Sequence, residues 1–178
     1  AGPFRAARAL HITRAILTAL AHAHRRGVLH RDIKPANVML AGKRTVLIDF
    51  GLSAVQDEAS MTANGLCLGS PSYIAPERLQ GGAHGERCDL YAVGVMLYEM
   101  LAGRKPFAGK RPEDVMRAAL HRPPRPLRAI RRDISPELDR IVRRAMSKDP
   151  ARRWRDARAD GGEQTAADDA KQANDSIG

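Results

Sequence analysis

Between positions 4 and 26 the apolar residues Ile12, Ile16, Leu20 and Ala23 recur at spacings of four and three. That period predicts an amphipathic helix over 4–26, its stripe packed on a core, with Gly27 as a C-terminal stop. Two short apolar runs, Val38-Met39-Leu40 and Thr45-Val46-Leu47-Ile48, flank Ala41-Gly42-Lys43-Arg44 and predict a small antiparallel hairpin. Pairing centred near Lys43 would set position 37 across from 49, bringing the Asn37 and Asp49 oxygens together at the open end. Residues 52–74, rich in Ser, Thr, Gly and Ala without a period, read as a long loop.

The second half is punctuated by proline and glycine. Asp89 is placed as the N-cap of a helix reaching about Leu101, with Leu90, Val93, Leu97 and Leu101 on one stripe and Val95, Met96 and Met100 on other sides. A helix apolar all round is expected to be buried. Gly103 ends it, and Pro106-Phe107 begins a new segment. Pro112 with Glu113 and Asp114 reads as the first turn of a short helix, stopped by the proline-rich run at 122–127. Ser135-Pro136-Glu137 opens another, with Leu138, Ile141, Val142 and Ala145 inward and Arg140, Arg143 and Arg144 outward, closed by Lys148-Asp149-Pro150. His22 and His24, two apart on the first helix, face different sides, so they read as partly buried or solvated histidines rather than a metal pair.

Composition changes this picture in three ways. At 178 residues and 43% hydrophobic content, one domain with a single core is expected. The formal charge of +10 is uneven: residues 104–158 hold 18 Lys and Arg against 7 Asp and Glu, while 159–178 hold 1 against 5. Arginine on solvated helix faces accounts for the basic body, and the acidic, alanine-rich tail from 159 to 178 is expected to be disordered. Cys67 and Cys88 lack metal or redox spacing, and there is neither a secretory start nor a run of 18 apolar residues. A reduced, cytoplasmic setting without a membrane segment is the expectation.

The candidate chemistry lies in His30-Arg31-Asp32-Ile33-Lys34-Pro35-Ala36-Asn37, a stretch that Pro35 keeps out of a helix. A carboxylate beside a fixed positive charge can orient a hydroxyl and take its proton, and an amide oxygen five residues on can ligate a hard cation. Together these suit phosphoryl transfer.

Followed by Asp49-Phe50-Gly51 and Ala75-Pro76-Glu77, this stretch resembles the catalytic loop, metal-binding turn and substrate-loop anchor of protein kinases. Lys34, two residues after Asp32, resembles the serine/threonine branch, in its bacterial eukaryotic-like form. The resemblance covers about 4–158 and implies an α+β, mainly α fold: the large C-terminal lobe of a kinase, residues 1–158, with a small hairpin. The small N-terminal lobe is not part of the match. Its glycine-rich loop, phosphate-gripping lysine, helix glutamate and adenine hinge would fall before Ala1. The implied activity is transfer of the ATP γ-phosphate to Ser and Thr hydroxyls of protein substrates, with ATP and magnesium as cofactors and little activity expected of the 178 residues alone.

Residue by residue, the resemblance makes Asp32 the catalytic base and Lys34 the cation that neutralises the transferring group, while Asn37 and Asp49 hold magnesium. Met39 matches the floor of the adenine pocket, although taken alone it reads as core. His30 and Phe50 match an internal stack beside Gly51, and Glu77 and Arg153 a buried ion pair. Arg31 matches the arginine that meets an activation-segment phosphate, with Thr62 as acceptor and Ser60 as runner-up. Gly69-Ser70-Pro71 departs from the usual Gly-Thr, with the Ser70 hydroxyl standing in. Two further classes remain open: a catalytically inactive kinase remnant that binds proteins, and a basic polyanion module. The second is weakened by 4% aromatics and the lack of a nucleic-acid motif, so no nucleic acid is expected as a partner.

Overall fold

The computed structural model describes residues 2–42, 44–50, 71–157 and 166–175, so Gly51, Ser60, Thr62 and Ser70 lie outside the described residues. Helix α1, Ala6–His24, buries Ile12, Ile16, Leu20 and Ala23, the stripe its period predicts, together with Leu10 and Leu17. Fully burying a side chain of this size stabilises by roughly 1.5–3 kcal/mol. Gly27, at φ 72°, follows the helix.

Strands β1, Val38–Ala41, and β2, Arg44–Leu47, form the hairpin. Its register differs by one residue from expectation: Val38 pairs with Leu47 and Ala41 with Arg44, and the Ile48 amide donates to the Asn37 carbonyl at 3.0 Å. Asn37 therefore lies opposite Ile48 rather than Asp49. The connection is two residues long, opening on Gly42 at φ 61°, and the short loop moves the centre of pairing off Lys43.

Helix α2, Pro76–Leu79, leads to α3, Glu86–Ala102, the central element of the core. Every α3 residue from Cys88 to Tyr98 is buried, as an all-round apolar helix requires. Gly103 caps it at φ 69°. The start corrects the capping assignment: Gly85 is the N-cap, so Asp89 sits a turn inside α3 and is 1% exposed. The acidic residue that resembled a cap is turned inward instead. At Gly94 helix α3 packs tightly on α5, since a Cβ there would fall 2.6 Å from the Ala145 Cβ.

Helix α4, Pro112–His121, and helix α5, Pro136–Ala145, start at their prolines as expected, and the Ser135 hydroxyl accepts the Leu138 amide at 3.1 Å. Leu138, Ile141, Val142 and Ala145 are buried, with Arg140 and Arg143 outside. Within the stretch expected to be disordered, Ala166–Asp175 instead forms helix α6, which packs on α1 and α5. Its alanines favour helix, Asp168 and Asp169 suit its N-terminal turn, and Ala173, fully buried, is small enough for close approach. Among the described residues no helix is long and apolar enough to cross a membrane.

Candidate active site

The segment between α1 and β1 is held from below by one carboxylate. Asp89 accepts the backbone amides of His30 and Arg31, each at 3.0 Å, and its oxygens also meet His24 Nε2 at 2.8 Å and His84 Nε2 at 3.0 Å. Burial alone would raise its pKa, but the hydrogen bonds from His24 and His84 and the backbone hold it well below the usual carboxylate range. This anchoring keeps Arg31 at φ 70°, a left-handed conformation uncommon for arginine.

His30 ties the loop to the strand that leads to Asp49. Its Nδ1 accepts the Asp32 amide at 3.3 Å, which makes Nε2 the donor to the Ile48 carbonyl at 2.9 Å, and its ring meets Phe50 with centroids 4.7 Å apart. Burial lowers its pKa, as this neutral tautomer requires. His30 and Phe50, expected to stack, are in contact with their rings tilted 56° to each other.

Above this base the polar groups converge. Lys34 Nζ lies 2.7 Å from Asp32 Oδ2, and Asn37 Nδ2 donates to the Asp32 carbonyl at 2.7 Å and to Oδ2 at 2.9 Å. Both side-chain contacts fall on Oδ2, leaving Oδ1 as the uncommitted oxygen among the described residues. The Asp32 and Lys34 side chains are 38% and 33% exposed, so both are within reach of a ligand. Asn37 is buried in a 3-10 turn, Pro35–Asn37, that Pro35 starts, and its amide oxygen remains as an acceptor.

Asp49 is exposed at φ 63°, one residue past the hairpin's last pairing contact, and makes no described ion pair. One carboxylate and one amide oxygen are hard donors that fit a magnesium ion completed by phosphate and water oxygens. Among the described residues no group of three His, Cys, Asp or Glu is placed to hold a metal ion. Met39, on β1, is 53% exposed and pairs with Val46, 43% exposed, on one face of the hairpin, while Leu40, also 43% exposed, lies on the other; Met39 is thus not part of the core.

Glu77 and Arg153 form the expected ion pair, through two contacts of 2.7 Å. Arg153, 2% exposed, also donates to the Ser147 and Arg87 carbonyls. Burial would raise the Glu77 pKa, but Arg153 brings it below the ordinary value, while burial pushes the neighbouring Cys88 thiol up to about 12. Cys88 is therefore an inert, protonated core thiol. Tyr73, in the turn before Ala75-Pro76-Glu77, donates to Glu99, and burial raises its pKa.

Sequence reasoning missed His24, His84 and Glu99. For His24 the signal was present: it continues Leu17 and Leu20 down the inner face of α1, at spacings of three and four.

A family profile described as the protein kinase domain matches residues 1–160. The chain is 35% identical over 158 residues to the serine/threonine-protein kinase PknB of Mycobacterium leprae, covering 88% of this chain and 25% of that protein. It is 36% identical over 185 residues to the serine/threonine-protein kinase pkn3 of Myxococcus xanthus, covering 98% and 34%. The crystal structure of the Mycobacterium tuberculosis PknI kinase domain superposes with a TM-score of 0.70 at 31% identity, covering 97% of this chain and 56% of that one. The chain thus spans about a quarter to a third of these curated relatives. A helical body with one hairpin, aligned to part of a kinase domain and related to bacterial serine/threonine kinases, belongs to the protein kinase family.

Proposed function

We propose that these residues form the substrate-side and metal-side half of a serine/threonine kinase active site. The observation that carries this is the contact of Asp32 Oδ2 with both Lys34 and Asn37, which fixes the carboxylate and turns Oδ1 over to a substrate. Magnesium-bound ATP would supply the transferable phosphoryl group and the countercharge. Asn37 and Asp49 are the residues that would hold the metal, and exposed Met39 is the surface offered to the adenine.

Asp32 orients the Ser or Thr hydroxyl and takes its proton at Oδ1 as the hydroxyl oxygen bonds to the γ-phosphorus and the bond from that phosphorus to the bridging oxygen breaks, releasing ADP. Lys34 stands beside the charge that spreads over the phosphoryl oxygens. This class of chemistry needs little covalent help and much fixed charge, which these side chains provide. Asp89 and His30 act as positioning residues, holding the loop from beneath. Arg31 serves as the receiver of a phosphate on Thr62, with Ser60 as the alternative acceptor.

Asp49→Ala tests the metal assignment. In the chain joined to a kinase small lobe, phosphate transfer should be lost at ordinary magnesium and the substrate protein should still bind. Near-normal transfer by this variant would remove Asp49 from the ligand set.

A further inference from the structure

One of the donors on Asp89 comes from outside the helices. His84, in the connection between α2 and α3, has its Nε2 3.0 Å from Asp89 Oδ1, the oxygen that also accepts the Arg31 amide. An ionised carboxylate only accepts, so His84 Nε2 carries the proton and donates. Asp89 is thereby oriented from two sides: His24 holds Oδ2 from α1, and His84 holds Oδ1 from the connection. The two histidines differ in placement. The His24 side chain is fully buried, whereas that of His84 is 12% exposed, at the margin of the core. Among the described residues Asp89 is the one polar partner of the His84 side chain.

The connection is itself locked to α2. The Gly82 amide donates to the Glu77 carbonyl at 2.8 Å, and Arg78 Nη1 donates to the Gly82 carbonyl at 2.7 Å, so both sides of one residue are held. A Cβ on Gly82 would stand 2.8 Å from the Glu77 carbonyl oxygen, so the close approach requires glycine. Glu77 is clamped in turn by Arg153. A continuous series of contacts therefore runs from Arg153 and Glu77 through the turn and His84 to Asp89 and the Arg31 amide. Its far end is strained. Arg31 at φ 70° keeps a left-handed backbone only while its surroundings over-determine it, and the orientation of Asp89 Oδ1 is part of that.

We infer that His84 is a positioning residue for the loop that bears Asp32, relaying the placement of α2 by fixing the Asp89 carboxylate beneath Arg31. Its bearing on phosphate transfer rests on the function proposed above; its hold on the loop does not.

The test compares His84→Leu, which removes the donor, with His84→Gln, which restores an N–H, in the full 178-residue chain. Amide hydrogen exchange, read residue by residue, should be at least about tenfold faster at His30 and Arg31 in His84→Leu, the loss expected of one hydrogen bond to a charged acceptor. His84→Gln should recover most of that protection, and the amides of α4 should exchange as in wild type in both variants. Should His84→Leu fail to fold, His84→Ala takes its place. Joined to a kinase small lobe, the donor-less variant should lower kcat with the KM for a serine peptide unchanged, and His84→Gln should restore kcat. Wild-type exchange at His30 and Arg31 without the donor overturns the inference. So does faster exchange spread evenly over the lobe, which a merely structural role would give, and so does an unchanged kcat. If the joined wild-type enzyme transfers no phosphate, the proposed function falls, while the exchange comparison still decides whether His84 positions the loop.

Discussion

Asp89 holds Arg31 in the left-handed region: Oδ1 accepts the Arg31 amide at 3.0 Å while that residue sits at φ 70°. With Oδ2 on the His30 amide, one buried carboxylate of α3 sets the backbone on which Asp32 rides. The site's geometry is thus written into the core rather than into the loop.

Asp89→Asn should accordingly destabilise by roughly 3–5 kcal/mol near pH 7, because buried donors and two histidines lose a charged acceptor. The sign with pH follows from its depressed folded pKa. Its stabilisation is present above the unfolded value of about 3.9 and is lost as pH falls below it, so the gap between wild type and variant should narrow between about pH 5 and pH 3. Denaturant titrations at several pH values measure it, and a gap independent of pH would show that the charge of Asp89 is not what binds the loop.

Gly94→Ala sets helix propensity against packing. Alanine gains up to about 1 kcal/mol over glycine in a helix, yet its Cβ would stand 2.6 Å from the Ala145 Cβ, and forcing α3 and α5 apart costs about 1–3 kcal/mol. A net loss of stability is expected in thermal unfolding. A gain would mean the α3–α5 contact has room.

Much of this was legible because its signals are local. The stripes of α1 and α5 and their Gly27 and Pro136 boundaries follow from side-chain period and backbone chemistry alone. The hairpin was legible but its register was not, since the apolar runs are equally satisfied by a two- or three-residue connection. Asp89 was misplaced because an acid near a helix start looks the same whether it caps the backbone or faces the core; only the tertiary contacts with His30 and Arg31 decide. Helix α6 was missed because polar composition hid its alanine content and its small buried face.

Phosphorylation of Thr62 is expected to switch the enzyme through Arg31, by bringing about 1.5–2 negative charges to a guanidinium suited to bidentate pairing. Mass spectrometry of the enzyme carrying a small lobe should find Thr62 modified. Thr62→Ala and Arg31→Ala should then lower activity similarly, with Ser60→Ala close to wild type. If Thr62 is never modified, or its loss leaves activity unchanged while Arg31→Ala impairs it, the switch lies elsewhere.

The central claim is that Asp32, fixed through Oδ2 by Lys34 and Asn37, is the group that takes the substrate proton. Its most direct test is single-turnover transfer of labelled phosphate from ATP to a serine peptide, by the chain joined to a kinase small lobe, for wild type and Asp32→Asn. A rate lower by roughly 100- to 10,000-fold is expected, with peptide affinity and thermal stability close to wild type. A variant that transfers phosphate at nearly the wild-type rate would contradict it.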